Sequence, residues 1–231
     1  MYKIAILIPF YNEEGNIIRQ LEDLVLNIKK IQKCHFHVVL IDDGSTDNGS
    51  IEIKKFIKEN NKSMFTLITH KKNLGKTAAF QSAFEVIEAD FVIFMDGDYQ
   101  DDPKQISMFV EKIFLGYEVV IGNQEKKPGI IKKIAALIYR FLLNRFLKIH
   151  IQTHSPQFYA IKFEFLKGIN LYKNDHRYLV TIALYKKASF CEINVNYLRR
   201  EYGKSKFSSF KIISAIYDTY KLVSRLKDGI Y

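Results

Sequence analysis

Short apolar runs alternate with helical patterns along the first half of the chain, and this alternation restricts the fold more than any other feature. The strand-like runs are Ile4–Ile8, Phe36–Ile41, Phe65–Thr69, Phe91–Met95 and Val119–Ile121. The segments between them have helical spacing: Asn16–Ile31, Gly49–Asn60, Thr77–Ile87 and Pro103–Leu115. Strands that alternate with helices form βαβ units, whose strands are parallel. The sequence therefore predicts an α/β fold, a mostly parallel Rossmann-like sheet with helices on both faces.

Polar residues directly follow three of these runs. The polar segments are Pro9–Glu14, Asp42–Asp47 and Asp96–Asp98. Because ligands of parallel sheets bind beyond the carboxyl ends of the strands, we expect the three segments to share one rim. Each segment also has a purely structural interpretation, since Asp47 can cap a helix and Asn12 can shape a turn.

Asp96 and Asp98 are two carboxylates separated by one residue. On an extended segment residues i and i+2 point to the same side, so both carboxylates are predicted to face one cation. Mg²⁺ and Mn²⁺ prefer oxygen ligands and often complete their shell with substrate phosphates. The pair therefore indicates a metal that holds a nucleotide or nucleotide-sugar diphosphate, although Asp-Gly-Asp also occurs in ordinary turns.

The size and cysteine content indicate the setting. A chain of 231 residues with 48% hydrophobic content can form one large α/β domain with its own core. Cys34 and Cys191 match no metal-ligand spacing and favour a reducing, cytoplasmic environment. The sequence contains no signal-peptide pattern at its start and no run of about 20 uncharged apolar residues. We expect a cytoplasmic protein without a membrane-spanning helix.

The net charge of +10 is concentrated in the second half. Residues 1–115 hold 14 Lys/Arg and 17 Asp/Glu, whereas residues 116–231 hold 21 and 8. A basic half can meet nucleic acid, an anionic membrane surface or a phosphorylated substrate. We expect no nucleic-acid partner, because the acidic rim would then have no role and no nucleic-acid module matches.

Two segments of the basic half have amphipathic helical patterns. In residues 130–149, five cations stand among large apolar residues: Lys132, Lys133, Arg140, Arg145 and Lys148. Such a helix can lie in a membrane interface or pack its apolar face on the sheet, and the pattern leaves both open. Residues 207–226 form the second pattern, which is available for a membrane or a partner helix.

Four segments together resemble family 2 glycosyltransferases of the GT-A fold. They are Ile8–Glu14, Ile41–Asp47, Asn73–Lys76 and Met95–Gln100. Asp96–Pro103 and the basic segment Arg200–Lys206 resemble one subgroup, the polyprenyl-phosphate sugar transferases typified by dolichyl-phosphate mannose synthase. The resemblance covers roughly residues 3–206. It implies a catalytic domain over 1–206, and it leaves 207–231 as a C-terminal helix for membrane or partner contact.

The resemblance implies inverting transfer of a sugar from a nucleoside-diphosphate sugar to a polyprenyl phosphate, with Mg²⁺ or Mn²⁺. A transferase acting on a hydroxyl acceptor in surface polysaccharide or lipid-linked oligosaccharide synthesis stays open, and so does an inactive membrane-associated scaffold. Many bacterial relatives continue into transmembrane helices. The expected partners therefore include the anionic surface at the cytoplasmic face of a membrane, and a membrane-embedded subunit.

The resemblance also assigns roles to individual residues. The donor site is assigned to Pro9, Tyr11, Glu13, Asp42, Asp96, Gly97, Lys132 and Arg200. The metal is assigned to Asp96, Asp98 and Gln100, and the catalytic groups are Asp96, Asp98, Arg200 and Lys206. Arg200 and Lys206 would bind donor or acceptor phosphates, or they belong to an exposed basic hairpin tip.

Three further positions bear on the acceptor. Gln124 stands where the subgroup has an arginine, and an amide cannot supply that charge. Relatives carry an acidic residue in the segment that reads Thr153–Phe158 here, which contains no carboxylate. A hydroxyl acceptor needs a base, whereas a phosphate is largely ionised at neutral pH, so this loss favours a phosphate acceptor. His176 and the following Arg177 resemble the subgroup's His-Arg-Phe segment. This resemblance implies that both residues border the acceptor site, but a purely structural role for His176 is equally open.

Overall fold

Seven strands form one sheet in the computed structural model, which describes residues 1–124, 130–153, 156–198 and 211–231 and omits the side chains of 124, 130–135 and 211–216. The strands are β1 (Tyr2–Phe10), β2 (Cys34–Asp42), β3 (Phe65–Thr69), β4 (Phe91–Phe94), β5 (Val119–Gln124), β6 (Tyr159–Lys162) and β7 (Phe190–Val195). Their order across the sheet is β3-β2-β1-β4-β6-β5-β7. β6 is antiparallel to both neighbours, and the other pairs are parallel. The predicted mostly parallel sheet is confirmed.

Helices cover both faces of this sheet. They are α1 (Ile17–Ile28), α2 (Gly49–Glu59), α3 (Lys76–Phe84), α4 (Ile106–Phe114), α5 (Ile130–Leu142), α6 (Leu179–Tyr185) and α7 (Lys211–Lys227). A π-helical turn, Leu143–Leu147, follows α5. The helix predicted over Pro103–Leu115 is divided into a 3₁₀ turn and α4. Asp102 caps that turn by accepting a hydrogen bond from the Lys104 N–H, and Pro103 begins it.

The core consists of two apolar layers, one on each face of the sheet. In β4, Val92 and Phe94 belong to one layer, whereas Phe91 and Ile93 belong to the other. This alternation follows from the two-residue period of a strand. Since both faces are covered, the central strands read as continuous apolar runs, which is why the sequence identifies them.

The C-terminal helix takes part in this core. Leu222, Val223 and Leu226 of α7 are buried in the same layer as Phe94. The boundary predicted at residue 206 lies outside the described residues, and the role of 207–231 in membrane or partner contact stays a prediction. Within the described part of the chain, no helix combines the length and the apolar character needed to cross a membrane.

Candidate active site at the carboxyl ends of the central strands

The loops after β1, β2 and β4 meet because these strands are neighbours in the sheet. The first two loops are tied by direct hydrogen bonds. Asn12 Oδ1 accepts from the Thr46 N–H at 2.8 Å, and the Glu14 N–H donates to Asp47 Oδ2 at 3.0 Å. Asp47 therefore connects two loops, which is more than the capping role expected of it alone.

The Asp96–Asp98 loop is a turn rather than an extended segment. β4 ends at Phe94, and Tyr99 adopts a left-handed φ of 58°. The expectation that an extended backbone aligns the two carboxylates is therefore wrong. The turn packs against β1 at Gly97, where a Cβ would lie 2.8 Å from Phe10 Cβ and 3.0 Å from the Pro9 carbonyl oxygen. The chain passes so close to β1 that only glycine fits without displacement.

Asp96 is surrounded by donors that the sequence did not identify as site residues. Its Oδ1 contacts the Lys76 ammonium, and its Oδ2 accepts from Gln157 Nε2 at 3.2 Å. The buried Gln20 donates to the Asp96 carbonyl at 2.7 Å. Lys76 belongs to the Asn73–Lys76 motif, so a signal was present in the sequence, but the contact depends on how β3 and β4 are placed.

Asp101 adds a third carboxylate beneath the loop. It is buried, and it accepts a hydrogen bond from the Asp96 N–H at 3.0 Å. Burial raises the pKa of Asp101 to about 7, and the charges of Asp96 and Asp98 contribute to this increase. Three acidic groups are thus close enough to repel one another, and a bound cation would relieve that repulsion.

The donor set fits Mg²⁺ or Mn²⁺ by its chemistry, since Asp96, Asp98 and Gln100 can each offer an oxygen ligand. Over the described ranges, no group of three or more His, Cys, Asp or Glu side chains is placed to hold an ion. Two carboxylates, the Gln100 amide oxygen and substrate phosphates would therefore form the shell. The backbone of Gln100 is engaged, because its N–H donates to Asp98 Oδ1 at 3.2 Å and its carbonyl accepts from Leu198.

Asp101 should make stability depend on pH. Its pKa is about 7 in the folded protein and ordinarily 3.8, so the folded state holds the proton more tightly. The folded state is therefore favoured in acid, and its stability declines as the pH rises from about 4 to about 7. In thermal denaturation with EDTA, wild type should lose more stability over this interval than Asp101→Asn, which cannot ionise there. Equal pH slopes would contradict the raised pKa.

The residues predicted to hold the nucleoside lie at the ends of β1 and β2. Pro9 is buried, Tyr11 is half-buried, and Glu13 Oε2 accepts from Asn16 Nδ2 at 2.7 Å. Asp42 is 1% exposed, and its Oδ1 accepts from the Ser45 N–H at 2.7 Å. Asp42 thus shapes its own turn, and its contact with a base or ribose stays a prediction.

Asp43 fixes the loop that carries Lys76. Its carboxylate accepts from the Leu74 and Gly75 N–H groups at 2.9 and 2.8 Å, and its Oδ1 lies 2.9 Å from His70 Nδ1. The sequence indicated only a turn residue here. The structure makes Asp43 the link between the second rim loop and the start of α3.

His176 lies on the other side of α3. Its Nδ1 is 2.7 Å from Thr77 Oγ1, and burial, with the nearby cations Lys76 and Arg177, lowers its pKa to about 3. The ring is therefore neutral at physiological pH. A cavity of 450 Å³ lies beside this contact, and it is lined by the start of α3, including Lys76, and by the 171–176 segment, including His176.

The predicted phosphate ligands of the basic half lie outside the description. Arg200 and Lys206 fall in residues 199–210, and the side chains of Gln124 and Lys132 are likewise not described. Leu198, the last described residue before 199–210, nevertheless lies next to Gln100, just after the Asp96–Asp98 loop. The Leu198 N–H donates to the Gln100 carbonyl at 2.8 Å, next to a β-bridge between Asp101 and Tyr197.

A carboxylate from another strand contacts the segment that begins at Thr153. Glu192 of β7 accepts from the Gln152 N–H at 2.7 Å, from the Thr153 N–H at 3.0 Å and from Thr153 Oγ1 at 2.5 Å. These three hydrogen bonds engage both oxygens of the Glu192 carboxylate. Glu192 therefore holds the Gln152–Thr153 segment against β7.

Curated relatives are similar to nearly the whole chain. Undecaprenyl-phosphate 4-deoxy-4-formamido-L-arabinose transferase of Proteus mirabilis is 24% identical over 217 residues, which are 94% of this chain and 66% of the relative. The Pseudomonas fluorescens protein of the same name is 24% identical, over 93% of this chain and 63% of its own length. The chain thus spans somewhat less than two thirds of the length of these relatives.

Solved structures share the fold. Glucosyl-3-phosphoglycerate synthase from Mycobacterium tuberculosis, in complex with phosphoglyceric acid, aligns with a TM-score of 0.68 at 18% identity, over 94% of this chain and 80% of that one. The mannosyltransferase PcManGT from Pyrobaculum calidifontis, in complex with GDP-Man and Mn²⁺, gives 0.65 at 16% identity, over 98% and 69%. These likenesses support the predicted GT-A fold. The family described as Glycosyl transferase family 2 matches residues 5–192, so the chain belongs to that family.

Proposed function

We propose that this chain transfers a sugar, with inversion, from a nucleoside-diphosphate sugar to a polyprenyl phosphate. The observation that carries the proposal is the Asp96–Asp98 loop, which lies at the carboxyl end of β4 and is bonded through Gln100 to Leu198, directly before the basic segment. This arrangement supports a metal site at this edge of the sheet, and the described chain reaches Leu198, just before the basic segment, beside it. The names of the bacterial relatives support undecaprenyl phosphate as the acceptor.

In this mechanism Asp96, Asp98 and Gln100 would hold Mg²⁺ or Mn²⁺, and the ion would stabilise the charge that develops on the leaving nucleoside diphosphate. Lys76 holds a second positive charge at Asp96 Oδ1. Pro9, Tyr11, Glu13 and Asp42 would orient the nucleoside. Arg200 and Lys206 would bind phosphate oxygens, for which charged donors form strong hydrogen bonds.

The acceptor argument rests on what the Thr153 segment lacks. A sugar hydroxyl needs a positioned base, but the carboxylate that contacts this segment, Glu192, already accepts three hydrogen bonds. A phosphate monoester has a second pKa near 6 and is a nucleophile without a base. The local chemistry therefore favours a phosphate acceptor over a hydroxyl acceptor.

The direct test is an assay of the purified chain with a panel of nucleotide sugars, undecaprenyl or dolichyl phosphate, and Mg²⁺ or Mn²⁺. Lipid-linked sugar should form from one donor, and EDTA should abolish its formation. Product on a hydroxyl acceptor alone would refute the phosphate acceptor. If no donor gives product and no nucleotide binds in the presence of metal, the enzyme proposal fails.

We also propose peripheral association with an anionic membrane, through α5, the π-turn and α7. These elements pack together and expose large apolar side chains: Leu137, Phe141, Phe146, Tyr217 and Tyr220. In the described residues 136–150 and 217–231, five exposed cations accompany them: Arg140, Arg145, Lys148, Lys221 and Lys227. Aromatic rings beside cations suit the boundary between lipid headgroups and acyl chains. α5 also buries Ala136, so the alternatives of core packing and membrane contact both apply to it.

Replacing Leu137 and Phe141 together with serine should weaken binding to vesicles that contain anionic lipid. Both side chains are more than half exposed, so their loss removes apolar contact with lipid and costs little folding stability. Sedimentation with vesicles of phosphatidylglycerol and phosphatidylcholine measures the effect. The matched control replaces Leu26 and Ile51, which are similarly exposed on α1 and α2, and should bind as wild type does. Equal loss in both variants would argue against a specific membrane face.

A further inference from the structure

Asp175 is a fully buried carboxylate held by the C-terminal helix. Its relative exposure is 0%, and Arg225 of α7 forms a bidentate ion pair with it at 3.0 and 2.8 Å. The Tyr231 hydroxyl also donates to Asp175, and so does the Tyr172 N–H at 2.7 Å. A buried charge with this many donors is satisfied, and removing one partner would leave it uncompensated. We refer to Asp175, Arg225 and Tyr231 as the latch.

Further contacts join α7 to the same segment. Asn174 Nδ2 donates to Asp218 at 2.9 Å, and the hydroxyls of Tyr178 and Thr219 lie 3.2 Å apart. The Arg225 guanidinium stacks over the Tyr172 ring, with its carbon 4.6 Å from the ring centroid. Residues 172–178 are therefore held against α7 along two turns of the helix.

The segment held by the latch is connected to the Asp96–Asp98 loop through direct contacts. His176 follows Asp175 and lies 2.7 Å from Thr77 Oγ1, at the start of α3. Lys76 precedes Thr77, and its ammonium contacts Asp96 Oδ1. Lys173, Asn174 and His176 also form one wall of the 450 Å³ cavity that Lys76 lines from the other side. Each step from α7 to Asp96 is thus a contact or a peptide bond.

We propose that Arg225 is a positioning residue, which acts through Asp175 and His176 to set the position of Lys76 at Asp96. The proposal rests on the function proposed above, in which Asp96 belongs to the donor site. It gives α7 a role in the site itself, in addition to any contact with a membrane. Because Lys76 contacts Asp96, a proposed ligand of the metal that would hold the donor diphosphate, a displaced latch should affect donor affinity more than the chemical step.

The test compares Arg225→Leu, Arg225→Lys and wild type in sugar transfer with the full chain. Arg225→Leu should raise the KM for the nucleotide sugar roughly 3- to 30-fold, with a smaller change in kcat. Arg225→Lys keeps the charge but loses the fork, so it should recover part of the affinity. Lys55→Leu is the matched control, because it removes one partner of an exposed ion pair with Glu59. It should behave as wild type does.

A second readout does not depend on activity. Hydrogen exchange without substrates should be faster in Arg225→Leu at residues 172–178 and also at 76–80, where no direct contact is lost. Tyr231→Phe keeps the ion pair and should show the same pattern more weakly, so it serves if Arg225→Leu does not fold. Unchanged exchange at 76–80 in every folded variant overturns the proposal. If wild type transfers no sugar but this pattern appears, the proposed function fails and the positioning of Lys76 stands.

Discussion

The Asp98→Ala variant is expected to lose sugar transfer by about 100- to 1000-fold while it keeps its fold, since one preorganised electrostatic contact commonly contributes that much. Asp98 is a half-buried rim residue whose Oδ1 accepts from the Gln100 N–H. Its removal takes little packing from the core but removes one of two proposed carboxylate ligands. Initial rates at saturating donor, together with Mn²⁺ binding by calorimetry, measure the two consequences.

Asp102→Ala is the matched control for this experiment. Asp102 is a neighbouring carboxylate that caps the turn before α4, where it accepts from the Lys104 N–H at 3.0 Å. Its loss should cost about 1 kcal/mol of stability and leave metal binding unchanged. Wild-type transfer by Asp98→Ala would refute the metal assignment, and equal losses in both variants would mean that the loop as a whole, rather than the carboxylate, is required.

The Gly44→Ala variant should lose about 2 to 4 kcal/mol of unfolding free energy and also bind nucleotide more weakly. Gly44 has a φ of 75°, and a Cβ there would lie 2.4 Å from the Lys72 carbonyl carbon and 2.8 Å from the Asn73 nitrogen. Both atoms belong to the backbone, so no side chain can rotate away. The change would push apart the loops that Asp43 connects and would displace Lys76.

Gly116→Ala is the control that has the backbone strain of a positive φ without a steric clash. Gly116 has a φ of 94°, but nothing lies within 4 Å of its added Cβ, so only the backbone penalty of about 1 to 2 kcal/mol applies. Urea denaturation measures the unfolding free energy of both variants, and the difference between their losses is the cost of the steric clash at Gly44. If both variants lose the same stability, the close approach of the loops has no energetic consequence. Nucleotide affinity should fall in Gly44→Ala alone.

The strands that the sequence identified are those that form continuous apolar runs in the first half of the chain. β3 was predicted at Phe65–Thr69, as observed, and β1, β2, β4 and β5 were predicted within three residues at each end. β6 and β7 were missed. β6 ends in Lys162, and Glu192 and Asn194 interrupt β7, so neither strand has a long apolar run.

The candidate site was predicted where a motif carries its own chemistry and missed where distant segments meet. Asp96 and Asp98 were identified because two carboxylates indicate a metal in any fold. Asp101 follows three residues after Asp98, but its burial and raised pKa depend on the packing around it. Lys76, the first residue of α3, and the distant Gln157 meet at Asp96, and no spacing in the sequence places them there.

The sequence by itself determined the α/β class, the positions of the first five strands along the chain, the rim on which the polar loops lie, and the family. These properties depend on local periodicity and on short motifs, each of which lies within one contiguous segment of the chain. Only the tertiary structure decided that the Asp96–Asp98 loop is a turn packed against β1, that Lys76 pairs with Asp96, and that α7 is held by Asp175. Such contacts join residues far apart in the chain, and their formation depends on the packing of the whole domain rather than on any one segment.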